Sequence, residues 1–556
     1  MFIKKNSTLR LIVWSFLIIT TSCELNKKVE INPKTPFVWE AANVYFLLTD
    51  RFYNGDTSND VNFERTEETG VLRGFEGGDL IGITEKIKTG YFTDLGINAI
   101  WMTPIMEQIK GSVNEGQGVT YGFHGYWIRD WTSLDPNFGT KKDLKDLVET
   151  AHKHGIRIVL DAVVNHIGPV TEKDPVWESD WVRTKPTCTY KDYESTVRCT
   201  LVENLPDIKT ENNNDVELPE VLVSKWKSEG RYKKEIEELD VFFLKTGYPR
   251  APRFYIMKWL ADYITEFGID GYRVDTVKHT EEYVWKEFKD ICNDAFADWK
   301  NNNPEKVMDS SEFFTVAEVY NFNISTATAF DFGDKKVNYF ENGFNSVINF
   351  EFKYNAEKSY EELFSRYSNI LNTELNGYSV MNYFSSHDDS QPFDPKRKRN
   401  RESAIKLLLT PGISQVYYGD ESDRPLEIEN AEGDANLRSF MNWDLIENDK
   451  GTKLKMEHWQ KLGCFRRDHP AVGAGVHQII SESPYCFSRR FSKGNFVDNV
   501  VVGLDLTKGI KKLNVSDVFE NGSHLLDAYS NIEVVVDKGM VIIDSPFDIV
   551  LLALKK

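Results

Sequence analysis

From Asn43 to about Gly419 the chain repeats one unit: a short β-rich run, a turn, then an amphipathic helical pattern. That alternation implies parallel strands covered by helices, because a parallel connection needs a crossover long enough to hold a helix. Eight runs qualify as strands: Val44-Leu48, Ala99-Met102, Arg157-Asp161, Gly271-Val274, Phe313-Ala317, Val347-Phe350, Ser379-Phe384 and Ser414-Tyr418. Helical patterns such as Lys141-His154, Arg253-Phe267 and Tyr360-Leu371 lie between them. Eight such strands suggest closure, so the expected class is α/β, a (β/α)8 TIM barrel.

Two interruptions shape the rest. Between Gly168 and Pro252 a polar, aromatic-rich stretch follows the third strand and reads as an insertion domain on the strand-end face, 167–251. After about Ala471 the segments Val500-Leu506, Glu533-Val536 and Met540-Ile543 alternate between turn-forming residues, which predicts a C-terminal antiparallel β-sandwich domain, 471–556. The barrel is then expected over 43–166 and 252–470.

The first residues read as a signal peptide, 1–22: Lys4, Lys5 and Arg10, an apolar run Leu11 to Ile19, then Thr20-Thr21-Ser22. The run is about half of the roughly 20 residues a membrane-spanning helix needs. Cys23 directly after these small residues resembles the bacterial lipoprotein cleavage box, which makes Cys23 the expected lipidation site and 23–42 a tether. The alternative is a plain secretory signal with an incidental thiol. Either way the protein is expected to be exported, as an envelope lipoprotein touching the membrane through its lipid anchor only, or otherwise as a periplasmic or secreted protein. Five cysteines follow, so at least one thiol stays unpaired. Cys188 and Cys199 share one polar segment and either close a small loop or remain free, and Cys292 sits in a helical pattern as a small hydrophobe.

Charge narrows the partners. With 86 acidic against 67 basic residues the net charge is −19, which repels a phosphate backbone and argues against nucleic acid. The densest basic run, Lys396 to Arg401, reads as a solvated loop or helix start.

In a parallel barrel the site collects at the C-terminal ends of the strands. Four ends stand out: Asp161-Ala-Val-Val-Asn165-His166, Gly271-Tyr-Arg273-Val-Asp275-Thr-Val-Lys278-His279, Val316-Ala-Glu318-Val and Phe384-Ser-Ser-His387-Asp388-Asp389. Three carboxylates from three strands can converge on one pocket. Taken singly, each is as easily a helix cap or a loop ion pair.

These segments, in this order, resemble the α-amylase family, glycoside hydrolase family 13, and its bacterial lipoprotein-type members. The resemblance runs from about Asn43 to the C-terminus and includes Gly96-Ile-Asn-Ala-Ile-Trp101, His124-Gly-Tyr126-Trp127, Leu205-Pro-Asp207-Ile208 and Val416-Tyr-Tyr-Gly-Asp420-Glu421. It implies Asp275 as nucleophile, Glu318 as general acid/base and Asp388 as the carboxylate that holds substrate hydroxyls. Cleaving an acetal with retention needs such a pair, an acid for the leaving group and a second carboxylate roughly 5 Å away. Arg273, on the same strand face as Asp275, is expected to keep that carboxylate ionised, while poor solvation and nearby carboxylates should raise Glu318. By the same resemblance Tyr126 is a stacking platform, and His166 and His387 hydrogen-bond the cleaved sugar. Lys278 and His279 line the leaving-group side, unless they merely begin a solvated helix. One departure stands out: the family ordinarily has Asn before the histidine of the last motif, and here Ser386 keeps a donor but loses the amide's reach.

The activity implied is retaining hydrolysis of internal α-1,4 bonds in starch or maltodextrins, with an α-glucan oligosaccharide or polysaccharide as partner. The same carboxylates also serve cyclomaltodextrinase, neopullulanase and glucanotransferase chemistry. A catalytically silent glycan-binding lipoprotein is the rival from another class; it would be favoured by loss of Asp275 or Glu318, and both are present.

A calcium ion is expected after the first strand, where Asp50-Arg-Phe-Tyr-Asn54-Gly-Asp56-Thr-Ser-Asn59-Asp60 is rich in oxygen donors. Phe52 and Val61 rule out an EF-hand. The segment resembles the family's N-terminal calcium loop, with Asn54, Asp56, Asn59, Asp60, Gly77 and Asp79 at matching positions. The alternative is an Asx-rich turn that binds nothing. A second family site would use Asn165, Asp207 and the His279 carbonyl, with a further insertion-domain ligand not placed.

Overall fold

The structure is a computed structural model that describes residues 35–555. The signal segment, Cys23 and the first part of the tether lie outside the described residues. Eight parallel strands close into a barrel: β1 (Asn43–Leu47), β2 (Ala99–Met102), β3 (Arg157–Ala162), β4 (Gly271–Val274), β5 (Phe314–Ala317), β6 (Ser346–Asn349), β7 (Ser379–Tyr383) and β8 (Ile413–Tyr417). β1 pairs with β2 through Val44↔Ala99 and with β8 through Asn43↔Ser414, which completes the ring. Every strand residue is buried, as expected of strands with side chains inside the barrel and under the helices.

The longer helices are α1 (Leu80–Lys88), α2 (Lys141–Lys153), α3 (Glu220–Ser228), α4 (Tyr232–Thr246), α5 (Pro252–Phe267), α6 (Glu282–Asn302), α7 (Tyr360–Asn372), α8 (Asn400–Leu409) and α9 (Lys450–Asp468). Their ends are written locally. Thr140 with Asp143, and Ser359 with Glu362, form reciprocal capping boxes that start α2 and α7. Pro252 opens α5 where its missing N–H costs nothing, and Gly268, at φ 73°, ends it in the left-handed conformation.

Between β3 and α5 the chain carries a short strand pair, Val182–Arg183 with Asp207–Ile208, then α3 and α4. Cys188 and Cys199 are disulfide-bonded, while Cys292, Cys464 and Cys486 are free. The two helices have no counterpart in the expected pattern. Along α4 Leu239 and Phe243 are buried, but Val241 and Leu244 face solvent, so the apolar residues do not keep to one stripe.

The C-terminal strands are β9 (Val476–Glu482), β10 (Tyr485–Lys493), β11 (Phe496–Leu504), β12 (Gly509–Asn514), β13 (His524–Asp527), β14 (Ile532–Val535), β15 (Met540–Ser545) and β16 (Val550–Leu554). Six of them form an antiparallel sheet in the order β9-β10-β11-β16-β13-β14, and β12 pairs with β15. Alternation divides the side chains of β11: Val500 and Val502 join the core that fills the barrel, while Val501 packs with Leu513, Val541 and Ile543 inside the β module. No helix among the described residues is long and apolar enough to cross a membrane.

Candidate active site

The chemistry-bearing residues gather at the C-terminal rim. Arg273 lies inside β4, one turn of the pleat before Asp275, so both face the barrel interior. Its Nη1 donates to Asp275 Oδ1 at 2.7 Å and to Asp161 Oδ1 at 3.0 Å, and its Nη2 pairs with Glu318 Oε2 at 3.0 Å. One buried guanidinium thus spans carboxylates from three adjacent strands. The Thr276 backbone N–H donates to Glu318 Oε2 at 2.8 Å. Asp388 follows β7 and accepts from Ser386 Oγ at 3.1 Å, so the unusual serine uses its hydroxyl to hold this carboxylate.

Asp161 opens the motif at the end of the third strand, where sequence alone assigns it no role. It pairs in register with Arg273 across β3 and β4, and it accepts from Trp101 Nε1 at 3.1 Å and Tyr126 hydroxyl at 2.9 Å. The signal available was its inward position on the third strand, beside an inward arginine.

Burial drives the protonation states. It raises Glu318 to about 8, reinforced by the charges of Asp275 and Asp388 and opposed by Arg273. Asp275 is also raised, to about 6, mainly by burial and further by Asp161 and Asp388. Arg273 therefore does not pull Asp275 below its ordinary range; its one charge is shared among three buried carboxylates. The order is still the useful one, since near pH 7 the higher group is protonated and the lower one ionised. Burial would raise Asp388, but His387, Arg273, Arg438 and the Ser386 hydroxyl bring it below its usual value.

The remaining predicted residues are close by. Tyr126 stacks on His387 with ring centroids 5.1 Å apart. His166 Nε2 donates to the Tyr126 carbonyl at 3.1 Å, and burial lowers both His166 and His387 to about 4, leaving neutral rings at pH 7. Lys278 donates to the Tyr320 carbonyl at 3.2 Å, and the His279 ring is held by the Thr196 carbonyl at 2.9 Å. Neither starts a solvated helix; they form one short 3-10 turn, Val277–His279, with His279 buried.

The loop after β1 brings together Asn54, Asp56, Asn59, Asp60, Gly77 and Asp79. Asn54 Nδ2 donates to Asp60 Oδ1 at 2.8 Å, Asn59 Nδ2 reaches Asp79 Oδ2 at 3.4 Å, and Asp79 also caps α1 through the Gly82 N–H at 2.6 Å. The side-chain oxygens of Asn54 and Asn59 are buried with no hydrogen-bond donor. A Cβ on Gly77, at φ 90°, would fall 2.4 Å from Asn54 Nδ2 and 2.6 Å from Asp60 Oδ1. Two orphaned amide oxygens beside two aspartates fit a hard cation. Among the described residues no group of three or more His, Cys, Asp or Glu is arranged to hold a metal, so amide and carbonyl oxygens would have to complete the set.

The second expected set also converges. Asn165 Nδ2 donates to Asp207 Oδ1 at 2.7 Å and to the His279 carbonyl at 3.0 Å, and Arg183 Nε lies 2.6 Å from Asp207 Oδ2. N–H donors meet the Asp207 and His279 oxygens, while the Asn165 side-chain oxygen is buried with no hydrogen-bond donor.

A closed parallel barrel with carboxylates from several strands at its rim is the arrangement that barrel glycoside hydrolases need. The chain matches the family described as "Alpha amylase, catalytic domain" over residues 46–468. It is 34% identical over 526 residues to the periplasmic alpha-amylase of Escherichia coli (strain K12), covering 84% of this chain and 72% of that one. A cyclomaltodextrin glucanotransferase of Geobacillus stearothermophilus is 26% identical over 465 residues, 81% of this chain and 58% of the relative. The solved structure of an Anoxybacillus alpha-amylase superposes with a TM-score of 0.64 at 24% identity, covering 94% of this chain and all of the other. The chain belongs to the α-amylase family and is a glycoside hydrolase.

Proposed function

We propose that this enzyme hydrolyses internal α-1,4 bonds of starch or maltodextrins with retention, through a glycosyl ester on Asp275. The observation that carries the reading is the single guanidinium of Arg273 joining Asp275 at 2.7 Å and Glu318 at 3.0 Å, which suits the close spacing of a retaining pair. Glu318 gives its proton to the glycosidic oxygen while Asp275 attacks the anomeric carbon; the carbon–oxygen bond breaks and the shortened chain leaves. Glu318, now a carboxylate, takes a proton from water, whose oxygen attacks the same carbon and frees Asp275. Asp388 holds sugar hydroxyls, and Tyr126 offers its ring to a sugar face. Arg273 balances the negative charge that three carboxylates bring to one site.

Asn54, Asn59, Asp60 and Asp79, with Asp56 and Gly77, would hold a calcium ion. It would supply a fixed charge that ties the loop to α1, and no chemical step passes through it. Export fits the periplasmic location named for the Escherichia coli relative.

The test is maltoheptaose hydrolysis followed by NMR of the newly released reducing end. Initial α-anomer, lost in Asp275→Asn, is expected; initial β-anomer would exclude retention. Predominant cyclic or lengthened products would favour the glucanotransferase alternative raised by the Geobacillus relative.

A further inference from the structure

We propose that α4, a helix the barrel pattern does not call for, builds a second binding site on the outer wall of the barrel, one that holds a neutral α-glucan chain away from the catalytic rim. The choice of an α-glucan rests on the hydrolase reading above. Between α4, α5 and α6 lies a cleft of about 910 Å3, within the range of about 300–1,000 Å3 usual for small-molecule sites. α5 runs from the insertion back to the start of β4, and the cleft takes only its later part, from Lys258 to Phe267, together with Ile291 to Asp298 of α6. It therefore opens on the outside of the helix layer, whereas Asp275 and Glu318 sit at the strand ends inside it.

The cleft explains the mixed face of α4. Lys234, Glu238, Val241 and Lys245 recur at intervals of four, three and four residues, so they share one side of the helix, and all of them line the cleft. Val241, 65% exposed, is thus part of a lip and not a stray apolar residue. The same wall contains half-buried Phe242 and Tyr248 and buried Trp259 and Phe267. Flat rings with polar edges suit the apolar faces of sugars. The Trp259 Nε1–H is buried with no acceptor in the protein, a donor left for an oxygen of the occupant. Charge decides against other occupants. Every lysine of the wall already has a carboxylate: Lys141 with Glu266 at 2.6 Å, Lys234 with Glu238 at 3.4 Å, Lys245 with Asp298 at 2.9 Å and Lys258 with Asp262 at 2.6 Å. An anion finds no uncommitted ammonium there, and a cation would have to displace one. A neutral polyol needs neither, because its hydroxyls can donate to lone pairs that the lysines leave open.

The experiment titrates maltoheptaose calorimetrically into the full chain carrying Asp275→Asn, then repeats the titration with Val241→Trp added, which puts a large ring at the open lip, and with Tyr248→Ala added, which takes a ring away. Two molecules per chain are expected in the first protein and one in each of the others, the second site being weakened by about 10-fold or more. With Asp275 intact, both substitutions should leave kcat/KM on maltoheptaose within about 2-fold, because the cleft lies away from the rim. Tyr248 also stacks on Phe254 with centroids 4.2 Å apart, so if Tyr248→Ala does not fold, the exposed position 241 decides the matter. A single molecule per chain before the cleft is altered, or two that survive the substitutions, would overturn the proposal. Absence of maltoheptaose cleavage by the unmodified enzyme would instead count against the hydrolase reading, whatever the stoichiometry.

Discussion

Arg273 is the residue on which the site's electrostatics turn, because a single positive charge stands among Asp161, Asp275 and Glu318. Activity on maltoheptaose should fall below about pH 6 as Asp275 takes up a proton, and above about pH 8 as Glu318 loses its own. Glu318→Gln should lower kcat by about 10²–10⁴-fold and abolish the alkaline limb of the pH–rate profile. The same residue also bears on stability. Its raised value means that the native state holds a proton the unfolded chain gives up near pH 4.5, so its contribution is full below that pH and drains away up to about pH 8. Glu318→Gln should therefore melt higher than the parent at pH 8 and more nearly equal to it at pH 4.5. A thermal melt at the two pH values checks this, and a Tm gain that does not grow with pH would contradict it.

At the scale of elements, the loop after β1 carries the calcium prediction. Chelation should lower Tm and added calcium restore it by mass action, and Asn59→Ala should reduce that response without removing the α1 cap that Asp79 provides. A Tm insensitive to chelator would mean an Asx turn and nothing more. This is also the scale at which the sequence could and could not be read. All eight barrel strands were legible because each is a short apolar run between turn signals, and the motif residues mark where each run meets the rim. Their ends shift by a residue or two, as with Val347-Phe350 against Ser346–Asn349, because the pairing register with both neighbours decides the boundary. The helices α3 and α4 were not legible, since exposed Val241 and Leu244 blur the stripe that Leu239 and Phe243 make. Asp161 was visible but unassigned: a lone carboxylate inside a strand acquires meaning only when the facing strand supplies Arg273.

Across the whole molecule, the C-terminal sheet shares its inner face with the barrel. Phe487, Val500, Val502, Leu504, Leu551 and Ala553 belong to the same apolar core as the barrel strands. Buried Arg489 donates to the carbonyls of Leu409 and Val472, and Arg401 pairs with Asp548 across the same seam. Calorimetry should therefore give one cooperative transition for barrel and sheet together, and a chain ending near residue 475 should be insoluble or melt far lower. Two well-separated transitions would show that the seam couples them weakly.

The closure of the ring carries a consequence for biosynthesis. Asn43 lies against Ser414, so the first strand cannot find one of its two neighbours until the eighth has been made. A nascent chain therefore stays open through most of translation, without a finished cleft, and locks shut only once its last barrel strand is available.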